Sequence, residues 1–408
     1  MSETLPAHSP VGASTAKRML ACPLSVGPGV PGVEDDESEH AALGTAVHSL
    51  IEHCFTQRMD AWALVGTASA SGGYIVTKSM ANGAQVMLDA VRKFHPYRDQ
   101  GNFFVEKKFH CPTIHPLFFG TCDALYIDAA ERTLHVWDYK NGAGIIVEVE
   151  HNEQTMYYAC GALEHFNLWT TVSKVSLHIV QPNGFHPEGR VRHWDTTPAA
   201  LAEWLEETLV PGINRALTSN EAVSGPHCNF CPKRFGACPA LMADMEELEG
   251  LMKQIEDVGG VEALTTNDIG RLLDLCKRAD IVKAAALKTG YGRLMAGNPI
   301  PGWKLVAARA NRVWKENAEI YAPLKFGEEA FTPKALKSPA QLEELPLGAA
   351  FTAEWAQSPD AGLTMAPASD KRREVSRDTK SLFTPVVPEA KSIPETPTLA
   401  PAKRRSRS

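Results

Sequence analysis

Two runs of sequence decide the fold: Phe118-Phe119-Gly120-Thr121-Cys122-Asp123-Ala124-Leu125, and Thr133-Leu134-His135-Val136-Trp137-Asp138-Tyr139-Lys140. Both are apolar and aromatic, and the polar stretch Asp128 to Arg132 between them reads as a hairpin turn. Side chains alternate along a strand, so Asp138 and Lys140 project to one side and Tyr139 to the other. Asp123 supplies a second carboxylate on the neighbouring strand. Two carboxylates beside an ammonium suit a hard divalent cation and a polarised water. A solvated strand end carrying an ordinary ion pair has the same local sequence, so the motif needs support from its surroundings.

Working outward, Phe103 to Phe109 reads as a third strand, and Glu153 to Phe166 as a helix after the central pair. Val175 to Val180 is a strand closed by Pro182, and Arg190 to Trp194 another, before a helix from Pro198 to Leu217. Upstream, Leu43, Val47, Leu50, Ile51 and Cys54 recur at helical spacing within His40 to Gln57, with His48 at the edge of that face. A second helix is expected over Ala81 to Phe94, while Lys17 to Pro23 reads as a short helical turn stopped by proline. Residues 60 to 75 carry no clear pattern. The order helix, three strands, helix, strand predicts an α/β fold with a mixed central sheet flanked by helices.

The chain has 408 residues, enough for more than one unit, and 44% hydrophobic with 22% charged residues is an ordinary globular mixture. No run of about 18 apolar residues is present, so no membrane span is expected. Nine cysteines without a leading secretory signal predict a reducing, cytoplasmic setting in which thiols ligate metals sooner than they pair. A net charge of −7 argues against whole-surface nucleic-acid binding and leaves room for a local basic groove.

Gln154 and Tyr158 lie four apart on the helix after the central strand and therefore share a face. Singly, a buried tyrosine with a polar neighbour explains them, and a helical His48 is more often an edge residue than a ligand. Cys228-x2-Cys231-x6-Cys238 is a tighter signal and lacks a fourth ligand nearby, for which Cys22 is the best candidate. Thiolates at this spacing suit iron–sulfur or zinc, the latter using His227. Cys54, Cys111, Cys122, Cys160 and Cys276 fall in apolar runs and read as packing residues. The basic side chains Lys17, Arg18, Lys233 and Arg234 flank the four cysteines and are expected to converge on phosphates if those cysteines meet.

Taken in order, Gly44-Thr45-x-x-His48, Gly120-x-x-Asp123, Asp138-x-Lys140 and Gln154-x-x-x-Tyr158 resemble the RecB-like branch of the PD-(D/E)XK nuclease superfamily, across roughly residues 14 to 240. The resemblance implies a restriction-endonuclease-like core. It implies His48, Asp123, Asp138 and the Tyr139 carbonyl as ligands of Mg2+ or Mn2+, with Lys140 as catalytic lysine. It implies that Gln154 and Tyr158 position DNA or the site, and Glu106 matches an acidic position on that branch's first strand. One early and three late cysteines resemble its iron–sulfur exonucleases, of the AddB and CRISPR-associated kinds, which implies a [4Fe-4S] cluster on Cys22, Cys228, Cys231 and Cys238; structural Zn2+ is the competitor.

These resemblances imply a metal-dependent deoxyribonuclease, exonucleolytic, with DNA as partner. Gly302-Trp303-Lys304-Leu305 and Asn311-Arg312-x-Trp314 are similar to a phage and prophage family of the same branch. That implies phage recombination, replication or repair in a bacterial host, beside a strand-annealing or recombination protein. The competing expectation is a DNA-binding or assembly module on an idle nuclease scaffold, against which the intact Asp123, Asp138 and Lys140 set speaks. The expected layout is a flexible arm over 1–13, the nuclease domain over 14–240, and a mainly helical accessory domain over 241–355. A disordered basic Pro/Ser-rich tail is expected over 356–408.

Overall fold

Helical periodicity in the upstream segments produces α1 (Ala13–Ala21), α2 (Glu39–Gln57) and α3 (Lys78–Arg92). The Thr77 hydroxyl starts α3 by accepting from the Met80 N–H at 3.2 Å. Then come β1 (Phe103–His110), β2 (Phe119–Asp128) and β3 (Thr133–Tyr139), the last two joined by a turn in which Asp128 Oδ1 accepts from Glu131 N. Helix α4 (Glu153–His165) begins where the Asn152 side chain accepts from the Gln154 and Thr155 amides. Strands β4 (Lys174–Val180) and β5 (Val191–Thr196) follow. Helices α5 (Pro198–Trp204) and α6 (Val210–Thr218) are joined by a π-helical turn over Leu205–Leu209 just before Pro211, which has no N–H to donate. Beyond the cysteine-rich turns lie α7 (Pro239–Val258), closed by Gly259 at φ +83°, and α8 (Thr266–Met295).

This computed structural model describes residues 8–375 apart from breaks at 28–38, 69–72, 96–99, 143–144, 237, 309–312, 316–317, 333–334, 344, 346, 358–361 and 368–371. The chain forms two compact units, one up to Ala285 and one from Ala286, so the boundary lies within α8 rather than at the expected 240. No helix among the described residues is long and apolar enough to cross a membrane.

The first unit is the predicted mixed α/β core. Its five strands lie in the order β1-β2-β3-β4-β5, antiparallel except for the β3–β4 pair, which is parallel and bridged by α4. All seven residues of β3 are buried, as befits a central strand covered on both faces. One face packs Leu125, Val136 and Leu177 against residues of α1, α4, α5 and α6; the other packs Trp137, Tyr139 and Val180 against α2 and α3. Gly161 lets α4 lie against β1, because a Cβ there would overlap the Phe109 ring.

Sequence periodicity misplaced two features. Helix α1 begins four residues before the expected turn, and Val11 and Gly12 just ahead of it are buried, with Ser9 Oγ donating to the Leu117 carbonyl at 2.6 Å. On α8, Leu275 is buried while Leu273 and Cys276 are exposed, so Cys276 is not a packing residue. Arg271 explains the rotation: its guanidinium pairs with Glu247 and Asp244 of α7 and turns the neighbouring face of α8 inward.

In the second unit, Trp303–Ala307 pairs antiparallel with Leu363–Pro367, and Val313–Trp314 with Ala356–Gln357. Helices Ala318–Phe326, Pro339–Leu342 and Gly348–Trp355 surround a small core of Ala322, Ala330, Leu342 and Phe351. The stretch from 356 therefore begins as ordered strand, since the Trp303–Ala307 edge needs a partner for its N–H and C=O groups. Arg309, Asn311, Arg312 and the basic end Lys403 to Ser408 lie outside the described residues, as does the arm before His8.

On the α3 side of the sheet, His135 and His178 are buried, with ring nitrogens 3.2 Å apart, and both rings stack on Trp137. Burial, then the Lys174 charge, hold His135 down at about 4, and burial, then His135, hold His178 well below its ordinary value. Unfolded histidines take up protons near 6.5 and the folded pair resists, so stability present above 6.5 is lost as pH falls toward 4. For His135 alone this is worth about 3 kcal/mol. Urea midpoints between pH 7 and pH 4.5 are expected to fall less steeply for His135→Gln than for the wild type. Parallel pH profiles would remove the histidine pair as the cause.

Candidate active site

The carboxyl end of β3 meets the start of α4, and the two parts of the predicted site come together there. Lys140 Nζ lies 2.8 Å from Asp138 Oδ2 and donates to Gln154 Oε1 at 2.7 Å. Gln154 Nε2 in turn donates to the Tyr158 hydroxyl at 3.1 Å, as the shared helix face requires. Asp138 is 1% exposed, and the Lys140 ammonium balances its buried Oδ2. A buried carboxylate is costly unless a cation sits against it, and the Lys140 ammonium is that cation.

Asp123 lies on β2 beside this group, with Oδ2 accepting from the Tyr139 N–H at 2.7 Å. Its Oδ1 is 3.5 Å from His48 Nδ1 on α2, and Glu106 Oε1 on β1 is 3.7 Å from the same nitrogen. His48, Glu106 and Asp123 each place a ligand atom within 4.8 Å of the other two. Glu106 arrives there by a local exception. It adopts φ +47° in mid-strand, and the regular pairing of Val105 with Ala124 and Lys107 with Cys122 skips the Glu106–Asp123 position between them.

Strict alternation also fails at that point in both strands. Phe104 and Phe109 pack in the same core cluster despite an odd separation, and so do Cys122 and Leu125. The opposed break turns both carboxylates toward the sheet end. Positive φ at a non-glycine residue costs of order 1–3 kcal/mol, a strain that persists where it aims a functional group.

The electrostatics fit a cation site. Burial, opposed by His48 and reinforced by Asp138, pushes the Asp123 carboxyl up to about 7. Burial disfavours the His48 charge, but the Asp123 and Glu106 carboxylates outweigh it and lift the imidazole to about 9. Oxygen ligands with one imidazole match Mn2+ or Mg2+, the imidazole favouring manganese. The group opens onto a cleft of about 390 Å³ lined by Thr45, His48, Tyr139, Lys140, Asn141 and Gln181. Tyr139 sets its ring edge-on to His48 at 5.4 Å, and its peptide is held by Asp123 at the N–H.

Away from this site, Cys22, Cys228, Cys231 and Cys238 line one small cavity, and all four are buried. Cys22 Sγ accepts from the Val223 N–H at 3.4 Å and Cys228 Sγ from the Gly225 N–H at 3.3 Å, donors suited to thiolates. Tetrahedral zinc would hold its sulfurs roughly 3.8 Å apart. Among the described residues no three of these sulfurs lie within 4.8 Å of one another, a wider set than zinc draws together. His227 Nε2 is 2.9 Å from the Val223 carbonyl, and the ring also hydrogen-bonds the Cys228 side chain.

Three of the four flanking basic residues hold backbone carbonyls, Arg234 that of Cys231 at 3.0 Å. Arg18 donates to the Phe230 carbonyl at 2.8 Å, and the buried Lys233 ammonium donates to the Gly27 carbonyl. Arg18 and Lys233 tie the early and late segments together.

Gln181 and Asn141 were missed by the sequence reading. Gln181 is 1% exposed and donates to the Gly142 and Ile145 carbonyls, fixing the loop that follows Lys140. A glutamine directly after an apolar strand gives little warning of such a role.

Residues 8–373 match the family model described as "Protein of unknown function (DUF2800)", and the chain belongs to that family. No solved structure matches the chain.

Proposed function

We propose that this DUF2800-family chain is a divalent-metal-dependent DNA nuclease that hydrolyses phosphodiester bonds, working from an end, in phage-type recombination, replication or repair. One observation carries the reading. His48, Glu106 and Asp123 each place a ligand atom within 4.8 Å of the other two, and Asp138 acts on them electrostatically beside a lysine held by a carboxylate and a glutamine.

A bound divalent cation supplies Lewis acidity toward phosphate oxygens and a water of lowered pKa. The protein's own part is positional and electrostatic. Asp123 keeps the Tyr139 peptide fixed, so that Asp138 and Lys140 hold their places around it. Lys140 spends two of its ammonium directions on Asp138 and Gln154 and keeps one for an attacking water or a phosphoryl oxygen. Gln154 relays that placement to Tyr158, whose buried hydroxyl stays protonated because burial, then the Asp138 and Asp123 charges, raise its pKa well above the usual value.

On the same reading Cys22, Cys228, Cys231 and Cys238 hold a [4Fe-4S] cluster with a structural role, since hydrolysis moves no electrons. The test is incubation of anaerobically purified protein with end-labelled single- and double-stranded DNA, in Mg2+ or Mn2+ and in chelator. A product ladder that depends on the metal supports the reading. Binding without cleavage would move the assignment to a DNA-binding module.

A further inference from the structure

We infer that Phe185 is a stacking platform for an unpaired nucleobase of the strand whose phosphate lies at Lys140, an inference that rests on the nuclease reading above. Phe185 occupies the loop between β4 and β5 and is 87% exposed. A single exposed phenylalanine is ordinary. This one differs because its loop is stapled to the edge of the cleft.

Gln181, where the loop begins, donates to the Gly142 and Ile145 carbonyls at 2.9 and 2.7 Å and accepts from the Val147 N–H at 3.1 Å. Arg192, 2% exposed, donates to the Val147 carbonyl and to Gln181 Oε1. Asn183 Nδ2 donates to the Asn141 carbonyl at 2.9 Å, one residue beyond Lys140. Gly184 is packed so tightly that a Cβ would press on Ile146. The loop carrying Phe185 is thus bound on both sides to the 141–147 segment, and Ile145 of that segment lines the cleft with its side chain 56% exposed.

A ring held out in water by polar bonds beneath it is a preorganised contact: no loop ordering opposes binding. What a nucleic-acid strand brings to such a place is the π-face of a base, and stacking on an aromatic side chain accepts any base. Paired bases inside a duplex offer no free face, so the platform favours single strands and frayed ends.

The experiment uses the full chain carrying Asp138→Ala, which prevents cleavage, and a single-stranded oligonucleotide with 2-aminopurine near one end. The expected result is tight binding with quenched 2-aminopurine emission. Adding Phe185→Ala weakens binding about 5- to 150-fold, the range a stacked base contributes, and abolishes the quench. Phe185→Trp restores both, which a merely structural role would not require. Unchanged affinity and quench in Phe185→Ala overturn the platform, and so does absence of binding in the Asp138→Ala chain. Cleavage by the otherwise unmodified protein is measured separately, so that failure of the nuclease reading shows there and failure of stacking shows in the fluorescence.

Discussion

Asp123→Asn is expected to lower metal-dependent cleavage by at least about 10³-fold while making the metal-free protein more stable at pH 8. The two effects have one origin. Asp123 sits within reach of Glu106, Asp138 and His48, where its charge is needed to hold a cation and is costly without one. Losing a first ligand removes several kcal/mol of charge stabilisation from the transition state, and about 4 kcal/mol is 10³ in rate. In the metal-free fold, burial and then the neighbouring carboxylates raise the Asp123 pKa to about 7, so stability falls as pH rises from about 4 through 7. Asparagine keeps an acceptor for the Tyr139 N–H and removes the charge. Thermal scans in chelator at pH 8 are expected to show a melting temperature at least about 2 °C higher for the variant. A lower one would mean that the His48 pairing, not the crowding of acids, dominates the empty site.

Cys228→Ser is the second large effect. The four cysteines stand where the early segment ending α1 meets the late segment before α7, with Arg18 and Lys233 crossing between them. Loss of a structural metal group belongs to the few changes costing more than about 4 kcal/mol. At about 2–4 °C per kcal/mol, the melting temperature should drop by roughly 8 °C or more, with loss of bound iron and its visible absorbance. Residual soluble protein should still cleave DNA, because the cysteines do not line the cleft. A soluble, iron-free variant melting like the wild type would end the structural role.

Much of this architecture was legible from local pattern. The apolar runs at β2 and β3, the turn from Asp128, and the i, i+4 pair on α4 follow from periodicity and spacing alone, and the structure places each within a residue or two. Asp138 and Lys140 emerged on one side because β3 alternates regularly. Glu106 is the instructive case. It was read as an acid on a strand, but alternation cannot say that φ +47° swings it toward His48, since that conformation depends on the paired break at Asp123. Gln181 and Arg192 act through loop carbonyls, contacts that leave no periodic trace. Cys276 was read as a packing residue from its apolar run, but the buried position on that part of α8 is Leu275.

The most direct test of the central claim compares wild type, Asp138→Ala and Lys140→Ala, purified side by side without oxygen, on end-labelled DNA with manganese or magnesium. The account predicts metal-dependent degradation by the wild type and a fall of at least about 10²-fold in each variant, with folding retained. Equal rates in all three would contradict it, and would assign the activity to something other than the site at the end of β3.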